Sequence, residues 1–235
     1  FELGAASDQQ HYGIGIKEVG QVDPQRHRPG HVEHYLGWPL ADDTGGGGFV
    51  YHAEDNKVFV GVVVHLNYTN PYLSPFEEMQ RFKTHPRLKT LLQGGERIGY
   101  GARAMTSGGW QSIPELGFPG GALMGCSAGF MNVPRIKGSH NAMLSGIKTA
   151  EAVFAALADG RGNDMIAGLK ATVTQGAIAA DLKPVRNAKP LLKFGTRLGT
   201  VLSGFDLWTN TLFKASLFGT LRHKTPDHAT LKPAD

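Results

Sequence analysis

The run Leu123-Met124-Gly125-Cys126-Ser127-Ala128-Gly129-Phe130-Met131-Asn132-Val133-Pro134, followed by Lys137-Gly138-Ser139-His140-Asn141-Ala142-Met143, constrains this chain most. It reads as a strand, a glycine-rich turn, a proline-braced loop and then the start of a long amphipathic helix. Such an arrangement gathers unpaired helix N–H groups and the positive end of a helix dipole at one spot, which suits an anionic or electron-rich group.

With 235 residues and 41% hydrophobic content, the chain can bury a sizeable core as one domain or two small ones. It opens on Phe1 rather than Met, Glu2-Leu3-Gly4-Ala5-Ala6 reads like the end of an element, and Lys232-Pro233-Ala234-Asp235 suggests a fragment as well. A piece of a longer protein is therefore expected. Cys126 is the only cysteine, which excludes an internal disulfide framework and a cysteine-rich cluster held by this chain alone. The formal charge is +4 with Lys and Arg scattered, so no nucleic-acid partner is expected. No run reaches the roughly 20 apolar residues of a spanning helix. Leu191 to Leu221, interrupted by Lys193, Arg197, Asp206 and Lys214, suits lying on a bilayer without crossing it.

The periodicities predict strands over Tyr12 to Val22, His31 to Leu40, Phe49 to His52 and Val58 to Leu66, in an antiparallel sheet with Val58, Val60, Val62, Val63 and Val64 as its β-branched core. Ser74-Pro75 followed by Glu77 and Glu78 starts a helix reaching about Lys83. Arg97 to Ala104 is expected as a strand, and Ala122 to Met124 as a short buried one. From Asn141, the apolar positions Met143, Ile147, Ala150, Phe154 and Leu157 predict a helix closed by Gly160, and Met165 to Leu182 a further helical stretch.

Three constellations carry chemistry. A reduced isoalloxazine accumulates negative charge at N1 and O2, which the helix start after Gly138 would stabilise; the same residues would also make an ordinary tight strand-to-helix connection. Thr44-Gly45-Gly46-Gly47-Gly48 offers main-chain groups to a flat carbonyl ligand such as a quinone, or is a flexible turn. Leu191 to Leu221, rich in Phe, Leu and Trp208 with Lys189, Lys193, Arg197, Arg222 and Lys224 at its ends, suits the headgroup region or a buried helix pair. Ser127 has no identifiable partner acid and base, which disfavours a nucleophilic enzyme, and the ten histidines form no HExxH pair.

The order Gly125, Cys126, Ser127-Ala128-Gly129, Pro134 and Gly138 before a helix resembles the second flavin-binding motif of the p-hydroxybenzoate hydroxylase-like flavoproteins, with Cys126 where Asp is usual. A narrower resemblance includes the cysteine. Gly125 through Met143, with Asn70-Pro71-Tyr72-Leu73-Ser74-Pro75-Phe76, Gly101-Ala102-Arg103-Ala104 and Gly109-Trp110-Gln111-Ser112-Ile113-Pro114, is similar to the electron transfer flavoprotein:ubiquinone oxidoreductase family. The likeness runs from about Tyr12 to the end of the chain.

That resemblance implies an α+β part of an FAD flavoprotein: a quinone-binding antiparallel sheet over 1–115, the C-terminal part of an FAD domain over 116–182, and a membrane-surface helical segment with the start of an iron–sulfur linker over 183–235. It implies electron transfer from reduced electron transfer flavoprotein to ubiquinone through FAD and a [4Fe–4S] cluster, at the inner face of a bacterial cytoplasmic membrane or the matrix face of a mitochondrial one. The cluster's cysteines and the Rossmann fingerprint would lie outside this chain. Gly46 and Gly47 match the pair that holds the quinone carbonyl, with Gly45 where Tyr is frequent. Gly125, Cys126, Gly138, Ser139, His140 and Asn141 fall to the flavin, Asn141 as the side chain that tunes its potential. Alternatives are a related FAD-dependent reductase or hydroxylase acting on a prenyl lipid or aromatic substrate, and a cofactor-free membrane-associated binding module.

Overall fold

The computed structural model describes residues 2–234; Phe1 and Asp235, which entered the reading of a longer parent, lie outside the described residues. The chain divides into two compact units, one of Tyr12–Met105 with residues 227–234, the other of residues 2–11 with Thr106–Pro226.

In the first of these, strands β1 (Tyr12–Gln21), β2 (Val32–Tyr35), β3 (Gly46–His52) and β4 (Lys57–His65) precede helices α1 (Pro75–Lys83) and α2 (Pro86–Leu92), and β5 (Glu96–Thr106) closes the sheet in the order β2-β3-β4-β1-β5. The pairs β2–β3, β3–β4 and β1–β4 are antiparallel, as the alternating β-branched runs predict. Val58, Val60, Val62 and Val64 point to one face and are buried against Met79 and Phe82 of α1 and Leu88 of α2. The two-residue period puts Val63 on the other face, half-buried, so it leaves the core expected for it. Ser74 caps α1 by accepting from the Glu77 N–H at 3.4 Å, with Pro75 at the first position.

One further expectation fails here, and one helix is unforeseen. The second strand stops at Tyr35, because the chain beyond it turns through Gly37 at φ +91°. Helix α2 has no forecast in the sequence: it follows His85, which offers no side-chain cap, and runs only seven residues.

His52 is buried near His27 and His31, with ring centroids at 5.2 and 5.4 Å, and its Nδ1 accepts from the Arg28 N–H at 3.1 Å. Burial first, then the neighbouring His27, His31 and Arg28 charges, push its pKa below the ordinary value, against a smaller opposing pull from Glu33. The folded state thus favours neutral His52 while the unfolded chain protonates near the ordinary value of about 6.5. The stability this gives is present above that value and is lost as pH falls from it through the folded pKa. Denaturant midpoints of the wild type should fall between pH 7.5 and pH 5, and His52→Gln should flatten part of that slope; an unchanged slope would remove His52 as its source.

The other unit is mostly helical. A short hairpin of β6 (Gly117–Phe118) and β7 (Gly121–Ala122) leads to a 3-10 turn over Gly125–Ala128 and then to α3 (Ser139–Ala158), α4 (Leu169–Thr174), α5 (Ala177–Leu182), α6 (Ala188–Leu191) and α7 (Thr196–Phe213). Its core is Ile113, Leu116, Phe130, Leu169, Val173, Ile178 and Leu182. The stretch expected as a buried strand over Ala122 to Met124 leaves the hairpin after Ala122, and Met124 is exposed. The stretch Met165 to Leu182 is two short helices, broken where Gly176 takes φ +68°.

Helix α3 begins two residues earlier than expected, and its apolar stripe faces outward. Met143, Ile147, Phe154 and Leu157 are exposed, while Asn141, Ser145 and Thr149 are buried. Helix α7 also turns its apolar side outward. Leu198, Val201, Phe205, Trp208 and Leu212 face outward, and Thr196, Gly199, Asp206, Thr209 and Asn210 face inward. Inside, Asp206 accepts from Asn187 at 3.2 Å and from Ser216. Among the described residues no helix is long and apolar enough to cross a membrane.

Candidate functional site

The helix start of α3 is built around one carboxylate. Gly138 at the N-cap has no side chain, and no side chain caps the first turn, so the N–H groups of Ser139, His140 and Asn141 precede the first helical bond, Ala142 N–H to Gly138 C=O at 2.8 Å. Asp181, on α5, accepts from His140 Nε2 at 3.0 Å and Asn141 Nδ2 at 2.9 Å through one oxygen, and from Asn132 Nδ2 at 3.1 Å and Arg135 Nη1 at 3.0 Å through the other. Burial alone would raise this carboxyl, but donation from Asn141, Asn132 and His140 and the His140 charge outweigh it and hold it below the ordinary carboxylate range.

The loop before α3 is tied to the same point. Asn132 is fully buried, donates also to the Asp181 carbonyl at 3.2 Å, and accepts from the Arg135 N–H at 3.2 Å. The glycine turn docks on the helix: Gly125 N–H donates to Ser145 Oγ at 3.0 Å, and with φ +60° its missing Cβ would stand 3.3 Å from that of Ala142. Cys126 is half-buried, with its carbonyl accepting from Thr106 Oγ1 at 2.6 Å. The structure therefore brings Gly125, Cys126, Gly138, Ser139, His140 and Asn141 into one unit around the α3 start. Asp181 and Ser145 have no motif that marks them in the sequence, and Asn132 lies in the quoted run without a role assigned to it.

One atom is left over. Asn141 is completely buried, and its Oδ1 has no hydrogen-bond partner. An acceptor without a donor, on the same turn as three uncapped N–H donors, complements a flat ring edge that alternates carbonyl and N–H groups. The pyrimidine edge of an isoalloxazine has that pattern, so these residues fit a flavin.

Gly46 and Gly47 lie in the other unit, inside β3 rather than in a turn before it. The His65 N–H donates to the Gly45 carbonyl at 2.9 Å, and Gly46, Gly47 and Gly48 stand opposite Val64, Val63 and Val62. On the other side β2 has already ended, because Tyr35 pairs with Gly48, so Gly46 and Gly47 lie beyond the β2–β3 pairing. The close packing explains the composition: a Cβ on Gly46 would meet the Val63 carbonyl at 2.1 Å, and one on Gly47 the Tyr35 carbonyl at 2.5 Å. Tyr35 donates to Glu33, and burial, with Glu33 second, pushes its pKa up to about 12. A cleft of about 540 Å³ in this unit, lined by Arg26, Arg28, His31, His52 and Arg87 among others, does not include the glycines.

A solved structure titled as geranylgeranyl bacteriochlorophyll reductase-like from Thermoplasma acidophilum is similar, with a TM-score of 0.59 at 18% identity, over 83% of this chain and 47% of that one. That likeness concerns the fold. Residues 12–105 match the family described as ETF-QO, ubiquinone-binding. Over its whole length the chain is 45% identical to the electron transfer flavoprotein-ubiquinone oxidoreductase of Pseudomonas aeruginosa and to the mitochondrial one of Homo sapiens, and 46% identical to that of Rattus norvegicus. The resemblance read from the motifs therefore holds along the whole chain. The chain spans about 40% of the length of these relatives, 42% for the bacterial one and 39% for the mammalian ones.

Proposed function

We propose that the protein carrying this chain is an oxidoreductase that passes electrons from reduced electron transfer flavoprotein to ubiquinone. The observation that supports this best is a coincidence of bounds: the match to the ubiquinone-binding family covers 12–105, and Tyr12–Met105 is the main segment of one compact unit. In this reading Gly46 and Gly47 form the main-chain ledge for a quinone carbonyl. The unit from Thr106 supplies the pyrimidine side of an FAD site through Gly125, Cys126, Gly138, Ser139, His140 and Asn141. FAD, when bound, supplies the redox chemistry. The residues of this chain hold and orient its ring edge, and the uncapped N–H groups of α3 favour the electron-rich state. A [4Fe–4S] cluster belongs to the reading only on ligands elsewhere, because Cys126 is a single thiol. The outward apolar face of α7 is the proposed contact with a membrane surface, made without spanning it.

The test uses the full-length protein. It should purify with a flavin spectrum and reduce a ubiquinone analogue when given reduced electron transfer flavoprotein. Asn141→Ala should shift the flavin potentials while FAD stays bound. Unchanged potentials would remove Asn141 from the site, and reduction of a prenyl lipid in place of quinone would favour the reductase alternative.

A further inference from the structure

We infer that Asp181 is a positioning residue for the redox site: it fixes which end of the Asn141 amide faces the ring that the proposed function places there, and the inference rests on that reading. An ionised carboxylate only accepts, so Asn141 can turn nothing but its NH2 group toward Asp181 Oδ2, at 2.9 Å. Flipping the amide would set two acceptors against each other. The consequence is that Oδ1 is aimed the other way, buried and without a donor. Natural folds rarely leave such an atom unpaired. Here the orphan is enforced from outside by a carboxylate that is itself held by three further donors, from Asn132, Arg135 and His140.

Each of those donors has a role in keeping Asp181 still. Arg135 reaches it from an exposed side chain, His140 from the same helical turn as Asn141, and Asn132 from the loop that precedes α3, so the carboxylate joins loop, helix start and α5. With four donors arranged around two oxygens, Asp181 has little freedom to rotate. The Asn141 amide inherits that rigidity, and ligand binding then finds an acceptor already oriented.

The experiment is a double-substitution cycle read as the reduction potential of flavin in the full-length protein. Asp181→Asn removes the charge and lets the Asn141 amide take either orientation, so that a donor can face the electron-rich ring. The potential is expected to rise by a factor of roughly ten in the reduced-to-oxidised ratio, about 30 mV for a two-electron couple. In an Asn141→Ala background the rise should shrink to less than half. An equal rise in both backgrounds would make Asp181 a distant charge and overturn the inference, as would no rise at all. If Asp181→Asn does not retain flavin, the same cycle with Asp181→Glu decides, because it keeps the charge while moving the acceptor; no coupled shift there overturns the inference. An unperturbed potential in Asn141→Ala itself would instead overturn the flavin reading, and the two failures are thereby told apart.

Discussion

Gly46→Ala should be among the most destabilising single-methyl changes available in this chain, by about 3–5 kcal/mol from combined overpacking and backbone strain. Two independent costs meet at this residue. Its φ of +143° lies where an L side chain is strained, and its Cβ would fall 2.1 Å from the Val63 carbonyl and 2.7 Å from Leu40 Cδ1. The first obstacle is backbone in the strand next door, which cannot rotate away. Relief would require opening the β3–β4 ladder at the point where Gly46 stands opposite Val64. The control is Gly101→Ala in β5, where a Cβ meets nothing within 4 Å and no positive φ is involved; its effect should stay within about 0.5 kcal/mol. Denaturant midpoints of the two variants check the contrast, and equal midpoints would refute it. A bulky residue at Gly47, 2.5 Å from the Tyr35 carbonyl, would also disturb the strand. Loss of quinone reduction in such a variant would therefore be ambiguous, and competition between quinone analogues on the wild type is the cleaner probe of the ledge.

What could be read in the sequence divides along physical lines. The valines of β4 alternate at a period that only a one-sided sheet explains, and Ser74-Pro75-x-Glu-Glu announces α1 by local chemistry alone. Both needed no knowledge of distant residues. The register that puts Gly46 against Val64 did need it, and so did the break at Gly176, whose conformation is invisible in a run of helix-compatible neighbours. The stripe Met143, Ile147, Phe154 and Leu157 marked the helix but not that this side faces outward. Periodicity reports that a helix has an apolar side; which partner covers that side is a tertiary fact. At the site, Asn141 and His140 were legible because they open a helix after a glycine turn. Asp181 was not, since it lies 40 residues further on, in a short helix with no flanking pattern, and only the fold brings it to the helix start.

Helix α7 carries the second large effect. Serine at Phe205, Trp208 and Leu212 together should abolish binding of the protein to phospholipid vesicles while leaving its denaturant midpoint nearly unchanged. In a helix packed in the usual sense, three such changes would empty a core. Here the three side chains are about half exposed, at 45%, 56% and 55%, and the packed face is made of Thr196, Gly199, Asp206, Thr209 and Asn210. That inner face is held by polar bonds: Asn187 donates to Asp206 at 3.2 Å, to Ser216 Oγ at 2.9 Å and to the Gly219 carbonyl at 3.0 Å, and its own Oδ1 accepts from the Leu221 N–H at 2.9 Å. None of these bonds involves the outer residues, so the fold should lose little when they change. A lipid interface would lose much more. Immersing three large apolar side chains contributes about 1–2 kcal/mol each, so the triple change should weaken partitioning by roughly 100-fold or more. Vesicle flotation and the fluorescence of Trp208 in the wild type measure that contact. If the triple variant floats with vesicles as the wild type does, or if it unfolds, the outward face of α7 is not the membrane surface.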